Sequence, residues 1–207
     1  MTEDSNNPPS SNFTPPKFDL IAIAASAGGL TALSVVLSVL PSNFPVGILI
    51  VQHLDPHRHS LLADILKRRT ALGVKEAEEG DRIQVGQVFI APPDHHLLVN
   101  PEGKLTLTQT ELVHFVRPSA DLLFESVAAH FRKRAIALVL SGTGSDGAMG
   151  VQAIKKMEGI VIAQDQITSD FFGMPGAAIQ TGSVDFILPL EQIPMALIQL
   201  VTKGAIA

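Results

Sequence analysis

The 207-residue chain has no cysteine, no tryptophan and no tyrosine, and only 17% of its residues are charged. Without cysteine there is no disulfide, no thiol nucleophile and no thiolate-bound zinc or iron–sulfur cluster. With phenylalanine its only Phe/Trp/Tyr-type ring, ten in all, the chain is a poor source of stacking platforms for nucleic-acid bases. Positive charge is in deficit too. Fifteen Lys and Arg against twenty Asp and Glu give a net charge of −5, so non-specific binding to nucleic acid or an anionic membrane has no electrostatic basis. What the chain does have is aliphatic residues: 46% of it is hydrophobic, enough at this length to bury the core of one domain.

From Leu20 to Leu54 no Asp, Glu, Lys or Arg occurs. A membrane span needs about 20 mostly apolar residues in succession. This run is broken by Ser26, Gly28-Gly29, Thr31, Ser34, Ser38 and Pro41-Ser42-Asn43, so it reads as buried strand, helix and strand with turns between. Ala25-Ser26-Ala27 imitates a signal-peptidase site, but Glu3 and Asp4, a single Lys17 and a very short apolar core before it argue against a leader. A cytoplasmic protein that is not an integral membrane protein is expected.

Residues 1–17 include Pro8, Pro9, Pro15 and Pro16 and hardly any apolar side chains; they read as a disordered tail or linker stub. Residues 18–207 read as the folded domain. Strands are expected at Leu20–Ala25, Val46–Gln52, Val88–Ala91, Ala135–Leu140, Ile160–Ala163 and Val184–Leu188. Helical spacing links Leu30, Leu33, Leu37 and Leu40, then Leu62, Ile65 and Leu66, then Ala120–His130, then Val151, Ile154 and Met157, with a last helix after Pro194. Short apolar strands alternating with helices predict an α/β fold: a doubly wound, mostly parallel sheet with helices on both faces. His95–Val99 and Lys104–Thr108, joined through Asn100-Pro101-Glu102-Gly103, read as a small antiparallel hairpin.

Open α/β sheets bind ligands beyond the carboxyl ends of their strands. Ser26 follows the first apolar strand, His53 the second, and Ser141-Gly142-Thr143-Gly144-Ser145-Asp146-Gly147 the strand that begins at Ala135. A serine, a histidine and an aspartate on one sheet edge are the parts of a nucleophile, base and orienter set. Ser26 would attack, His53 would take its proton, and Asp146 would hold the imidazolium. The amides of Ala27 and Gly28, opening a helix, would cradle an oxyanion. Each residue alone has a plainer reading: helix cap, hydrogen-bonded strand-end histidine, turn aspartate. It is their equivalent placement that suggests chemistry. The chain order Ser, His, Asp and the absence of G-x-S-x-G exclude the α/β-hydrolase pattern.

A dinucleotide-binding reading competes with this. Gly142, Gly144 and Gly147 are spaced as G-x-G-x-x-G after a strand, and Asp165 lies 23 residues after Gly142. Against it, Asp146 would put a carboxylate in a pyrophosphate cradle, and Ser26 and His53 would have no task. For metals, His57, His59, His95 and His96 come with no H-E-x-x-H and no convergent carboxylates, so they read as solvated loop histidines, with no metal and no cofactor expected. Lys67-Arg68-Arg69 and Arg132-Lys133-Arg134 read as solvated helix ends.

Seven segments taken in order resemble one family: IAIAASAGG, ILIVQHLDP, EAEEGDRIQVGQVFIAPPDHHL, RPSADLLFESVA, LVLSGTGSDGAMG, IAQD and FGMPGAAI. They are similar to the catalytic domain of chemotaxis protein-glutamate methylesterases, over about residues 18–200. SGTGSDG together with HLDP resembles the members joined to a receptor methyltransferase. The resemblance implies a parallel α/β sheet and cofactor-free hydrolysis of glutamyl methyl esters on methyl-accepting chemotaxis receptors, with deamidation of receptor glutamines in some members. Its triad falls on Ser26, His53 and Asp146. Two positions depart from the best-studied pattern: Ala27 stands where the family has Thr, and Thr143 stands for a Met on the lip associated with the oxyanion site. Regulated members carry an N-terminal receiver domain, where this chain has 17 residues. The expectation is either a stand-alone enzyme or one piece of a longer system, with a receptor methyltransferase or a separate receiver protein as further partner; an inactive receptor-docking module is the alternative.

Overall fold

The computed structural model describes residues 18–53 and 60–206. The expected tail at 1–17 lies outside them. In chain order the elements are β1 (Leu20–Ala25), α1 (Gly29–Val39), β2 (Gly47–Gln52), α2 (Leu62–Lys67), β3 (Gly73–Glu76), β4 (Gln87–Ile90), β5 (His96–Val99), β6 (Leu105–Thr108), α3 (Ala120–Phe131), β7 (Ala135–Val139), α4 (Ala148–Lys156), β8 (Ile160–Gln164), α5 (Gly173–Gln180), β9 (Phe186–Leu188) and α6 (Ile193–Lys203). Seven strands form one sheet in the order β3-β4-β2-β1-β7-β8-β9, and every neighbouring pair is parallel. Strands β5 and β6 pair antiparallel as the expected hairpin.

Continuous apolar strands follow from burial on both faces. Along β1, Ile21, Ile23 and Ala25 face a core shared with Leu33 and Leu37 of α1, Leu62 and Leu66 of α2, and Leu197 and Leu200 of α6. Leu20, Ala22 and Ala24 face the opposite core, with Leu123, Phe124 and Val127 of α3, Val151 and Ile154 of α4, and Met174 and Ala178 of α5. Ile21 and Ile23 have no exposed surface, so each contributes roughly 1.5–3 kcal/mol of burial. Small residues at Ala22 and Ala24 leave room for α3 against the sheet.

Two elements go beyond the sequence expectation. Strand β3 (GVKE) is an edge strand in which Val74 alone is buried, so it shows no hydrophobic run. Helix α5 contains Gly173, Pro175 and Gly176, and its proline sits in the first turn, where it costs no hydrogen bond. Elsewhere strand bounds shift by a residue or two. The basic runs are exposed as expected: Lys67 ends α2, and Arg132–Arg134 form a 3-10 turn after α3 in which Arg134 pairs with Asp19. Among the described residues, no helix is long and apolar enough to cross a membrane.

Strand β1 is central. The chain moves from it to β2 and outward, then returns on its other side at β7. A crevice therefore opens beyond the carboxyl end of β1, where such sheets bind ligands.

Candidate active site

The register of the sheet sets the site. Ala25 of β1 pairs with Gln52 of β2, and the His53 N–H donates to the Ala25 carbonyl at 3.1 Å, so Ser26 and His53 leave neighbouring strands side by side. On the other flank the Ser26 N–H donates to the Ser141 carbonyl at 3.0 Å, which brings the loop after β7 against the same serine. Asp146 reaches in from that loop, with Oδ2 at 2.8 Å from His53 Nε2. The three expected residues thus gather at the ends of β1, β2 and β7.

Asp146 is 3% exposed and lies at the N-terminus of α3. Its Oδ1 accepts from Ser119 Oγ at 2.8 Å and from the Asp121 N–H at 3.1 Å, and its Oδ2 accepts from the Ala120 N–H at 2.6 Å. These backbone donors have no partner within the helix, and the positive end of the helix dipole favours the anion. Burial acts to raise this carboxyl, but the His53 bond, the two backbone N–H groups and the Ser119 hydroxyl outweigh it and hold the group below the ordinary carboxylate range. An ionised carboxylate only accepts, so His53 Nε2 carries the proton and Nδ1 remains as the basic nitrogen. The ring is therefore turned the opposite way from that of chymotrypsin-type sites, where Nδ1 faces the carboxylate. Among the described residues Ser26 Oγ makes no hydrogen bond; in resting sites this contact is often long and tightens with substrate.

Ser26 begins the turn into α1. Gly28 holds φ +76°, and a Cβ there would lie 2.6 Å from Ser141 Oγ and 2.8 Å from Asp170 Cβ, so both backbone conformation and space require glycine. Ser141 Oγ donates to the Ala27 carbonyl at 2.8 Å and accepts the Phe171 N–H at 3.0 Å, tying the nucleophile turn to the loop before α5. Gln52 Nε2 donates to the Ser26 carbonyl at 2.8 Å. Among the described residues the Ala27 and Gly28 N–H groups make no hydrogen bond, so they are available to a developing oxyanion. Thr143 is exposed on the neighbouring loop; it is Gly142 that packs on Ser26, since a Cβ there would come within 3.0 Å of Ser26 Cβ and collide with Met174 Sδ.

The glycine loop does not serve as a nucleotide cradle. Its aspartate faces His53, and the Gly150 N–H at the start of α4 is taken by Asp121 Oδ1 at 2.7 Å. Asp165, the would-be ribose ligand, accepts from the Thr168 N–H at 2.9 Å and from Thr168 Oγ1 at 2.6 Å in a local turn. Among the described residues no group of three His, Asp or Glu could hold a metal ion; His57 and His59 lie outside those residues. One expectation is overturned. His96 is not a solvated loop residue: it sits in β5 with no exposed surface. Its Nδ1 accepts the Ser119 N–H at 3.1 Å and its Nε2 donates to the Glu111 carbonyl at 3.1 Å. Sequence reasoning also missed Ser119 as a ligand of Asp146, although a serine just before the expected helix at Ala120 is the ordinary sign of an N-cap.

A family model described as CheB methylesterase matches residues 21–197. The chain is 44% identical over 184 residues to a protein-glutamate methylesterase/protein-glutamine glutaminase of Pyrococcus abyssi, covering 87% of this chain and 50% of that protein. It is 38% identical over 183 residues to a putative protein-glutamate methylesterase/protein-glutamine glutaminase of Leptospira interrogans, covering 88% of this chain and 95% of that one. The crystal structure of the Thermotoga maritima CheB methylesterase catalytic domain superposes with a TM-score of 0.85 at 38% identity, over 89% of this chain and 99% of that domain. The chain thus spans about half the length of the Pyrococcus relative and nearly all of the Leptospira one.

Proposed function

The chain belongs to the CheB methylesterase family, and from that premise we propose that it is a serine esterase removing methyl groups from esterified glutamates of methyl-accepting chemotaxis receptors. The observation that carries the reading is the buried, ionised Asp146 at 2.8 Å from His53 Nε2, beside a serine on the adjacent strand end. The names of the relatives add glutamine deamidation as a second activity of the same site, since an amide and an ester pass through the same acyl intermediate. We assign Ser26, His53 and Asp146 as nucleophile, base and orienter, and Ala27, Gly28 and Thr143 as the surroundings of the oxyanion. A cytoplasmic location, and a receptor methyltransferase or a separate receiver protein as further partner, go with this reading.

The steps follow from the geometry. Ser26 Oγ attacks the ester carbonyl carbon while His53 Nδ1 takes the hydroxyl proton. The carbonyl oxygen gains negative charge facing the Ala27 and Gly28 N–H groups, at the N-terminus of α1. Collapse expels the methoxy group, which leaves as methanol with the proton from His53. Water then attacks the glutamyl-Ser26 ester, His53 again takes the proton, and the glutamate carboxylate departs as Ser26 is reprotonated. Asp146 stays ionised throughout and stabilises the imidazolium.

The test is methanol release from methylated receptor fragments, comparing the parent chain with Ser26→Ala. Release by the parent and none by the variant is expected. Equal release by both would overturn the reading, and no release by the parent would favour an inactive docking module.

A further inference from the structure

The reaction uses the Asp146 carboxylate, but nothing in its steps explains how the cap around that carboxylate is held. Ser119 has no exposed surface, and three of the donors to Asp146 come from Ser119, Ala120 and Asp121. The direction in which these donors point is set by the backbone entering α3. That entry is pinned from behind: the Ser119 N–H donates to His96 Nδ1 at 3.1 Å, and His96 Nε2 faces the Glu111 carbonyl at 3.1 Å. A ring nitrogen that accepts from an N–H has no proton of its own, so the proton of the neutral imidazole is on Nε2, where it serves Glu111. One rigid ring thereby joins β5, the loop at Glu111 and the cap of the triad carboxylate.

We propose that His96 is a positioning residue, which as the neutral Nε2–H tautomer fixes Ser119 and so aims the α3 cap at Asp146 and, through it, the His53 ring. The inference rests on the esterase reading. Protonation of His96 would set an Nδ1–H against the Ser119 N–H, and the bond that orients the cap would be lost. The charged groups facing the ring are Arg117 and Asp94, which pair with each other at 2.6 Å, and Asp146. Burial, aided by Arg117, pushes His96 down from the usual imidazole range, while Asp146, Asp94 and the Glu111 bond oppose this. The ring therefore stays neutral at working pH and charges only in acid.

The experiment uses the full chain with a methyl-esterified receptor peptide and the variants His96→Phe and His96→Asn. Phe keeps a ring but offers no acceptor, whereas Asn Oδ1 replaces Nδ1 towards Ser119. We expect His96→Phe to lower kcat about 100-fold with little change in KM, as a small misplacement of a catalytic group does. His96→Asn should return to within about tenfold of the parent. The acid limb of log kcat/KM should be steeper in the parent, where protonation of His96 adds to the loss, than in His96→Asn. Parental kcat in His96→Phe overturns the proposal, as do equal losses in both variants that track their melting temperatures. Should the variants not fold, 15N NMR of the parent decides: an Nε2–H tautomer at neutral pH supports the proposal, and an Nδ1–H or an imidazolium overturns it. Activity surviving Ser26→Ala would overturn the esterase reading. Activity abolished by Ser26→Ala but indifferent to His96 overturns this inference alone.

Discussion

Asp121 and Asp146 are two buried carboxylates joined by one hydrogen bond, the Asp121 N–H donating to Asp146 Oδ1 at 3.1 Å, yet they are driven in opposite directions. The donors around Asp146 keep it ionised in spite of burial. For Asp121, burial, reinforced by the charge of Asp146, outweighs the Gly150 N–H and pushes the carboxyl above its ordinary range. His114 Nε2 stands 3.4 Å from its second oxygen. The surroundings thus favour the charged form at Asp146 and oppose it at Asp121.

Stability should therefore respond to these two groups with opposite signs. A carboxyl whose folded pKa is raised costs stability as pH rises from its unfolded to its folded value. Asp121→Asn removes that cost and keeps an acceptor for Gly150, so its melting temperature should equal or exceed the parent's at neutral pH. The difference should shrink in acid. Thermal unfolding at several pH values checks this, and a variant that gains on the parent as pH falls would contradict it.

Asp146, with its folded pKa lowered, adds stability that is full above the unfolded aspartate value of about 3.9 and is lost as pH falls through the folded one. In Asp146→Asn the acid loss should be correspondingly smaller. The variant should also lose about 10⁴ in kcat, because His53 is no longer held in the productive tautomer. It should gain no affinity for a nicotinamide cofactor. Full esterase activity would contradict the orienter role.

Ser26→Ala and His53→Ala should each remove nearly all turnover, with losses up to about 10⁶, and the double variant should be no worse than either. Methanol release measured under single-turnover conditions reads this directly. Losses that multiply would mean that the two residues do not share a step.

Gly28→Ala should be more damaging than an ordinary surface substitution. It forces a Cβ onto a backbone at φ +76° and into Ser141 and Asp170, so a stability loss of about 2 kcal/mol or more is expected. Ser141→Ala leaves the Ala27 carbonyl and the Phe171 N–H without their partner, at a cost of about 1–3 kcal/mol. Denaturant titration of both variants gives the values.

Much of the site is legible in the sequence because strand ends are. Six apolar runs announce strands; Ser26 and His53 follow two of them directly and Asp146 lies in the loop after a third, so the sheet rule alone brings them to one edge. Strand β3 is hidden because an edge strand needs only one buried side chain, Val74. Helix α5 is hidden because Gly173, Pro175 and Gly176 mask a helix held by tertiary packing of Met174 and Ala178. His96 is misread because its partners, Ser119 and the Glu111 carbonyl, are distant in sequence, so nothing local shows that its ring is enclosed. The cap on Asp146 is invisible for the same reason: Ser119 signals a helix start but not the carboxylate it serves.

Strand β1 pairs on one side with its near neighbour in the chain, β2, and on the other with β7 across more than half of the sequence, Leu20 lying opposite Ala135. Ser26 and His53 can be brought together early by the local crossover through α1. Asp146 joins them only when the chain closes its longest loop, the slow kind of step in folding. Esterase activity should therefore be the last native property to return on refolding, after the helical signal, and its recovery would time the closure of β7 onto β1.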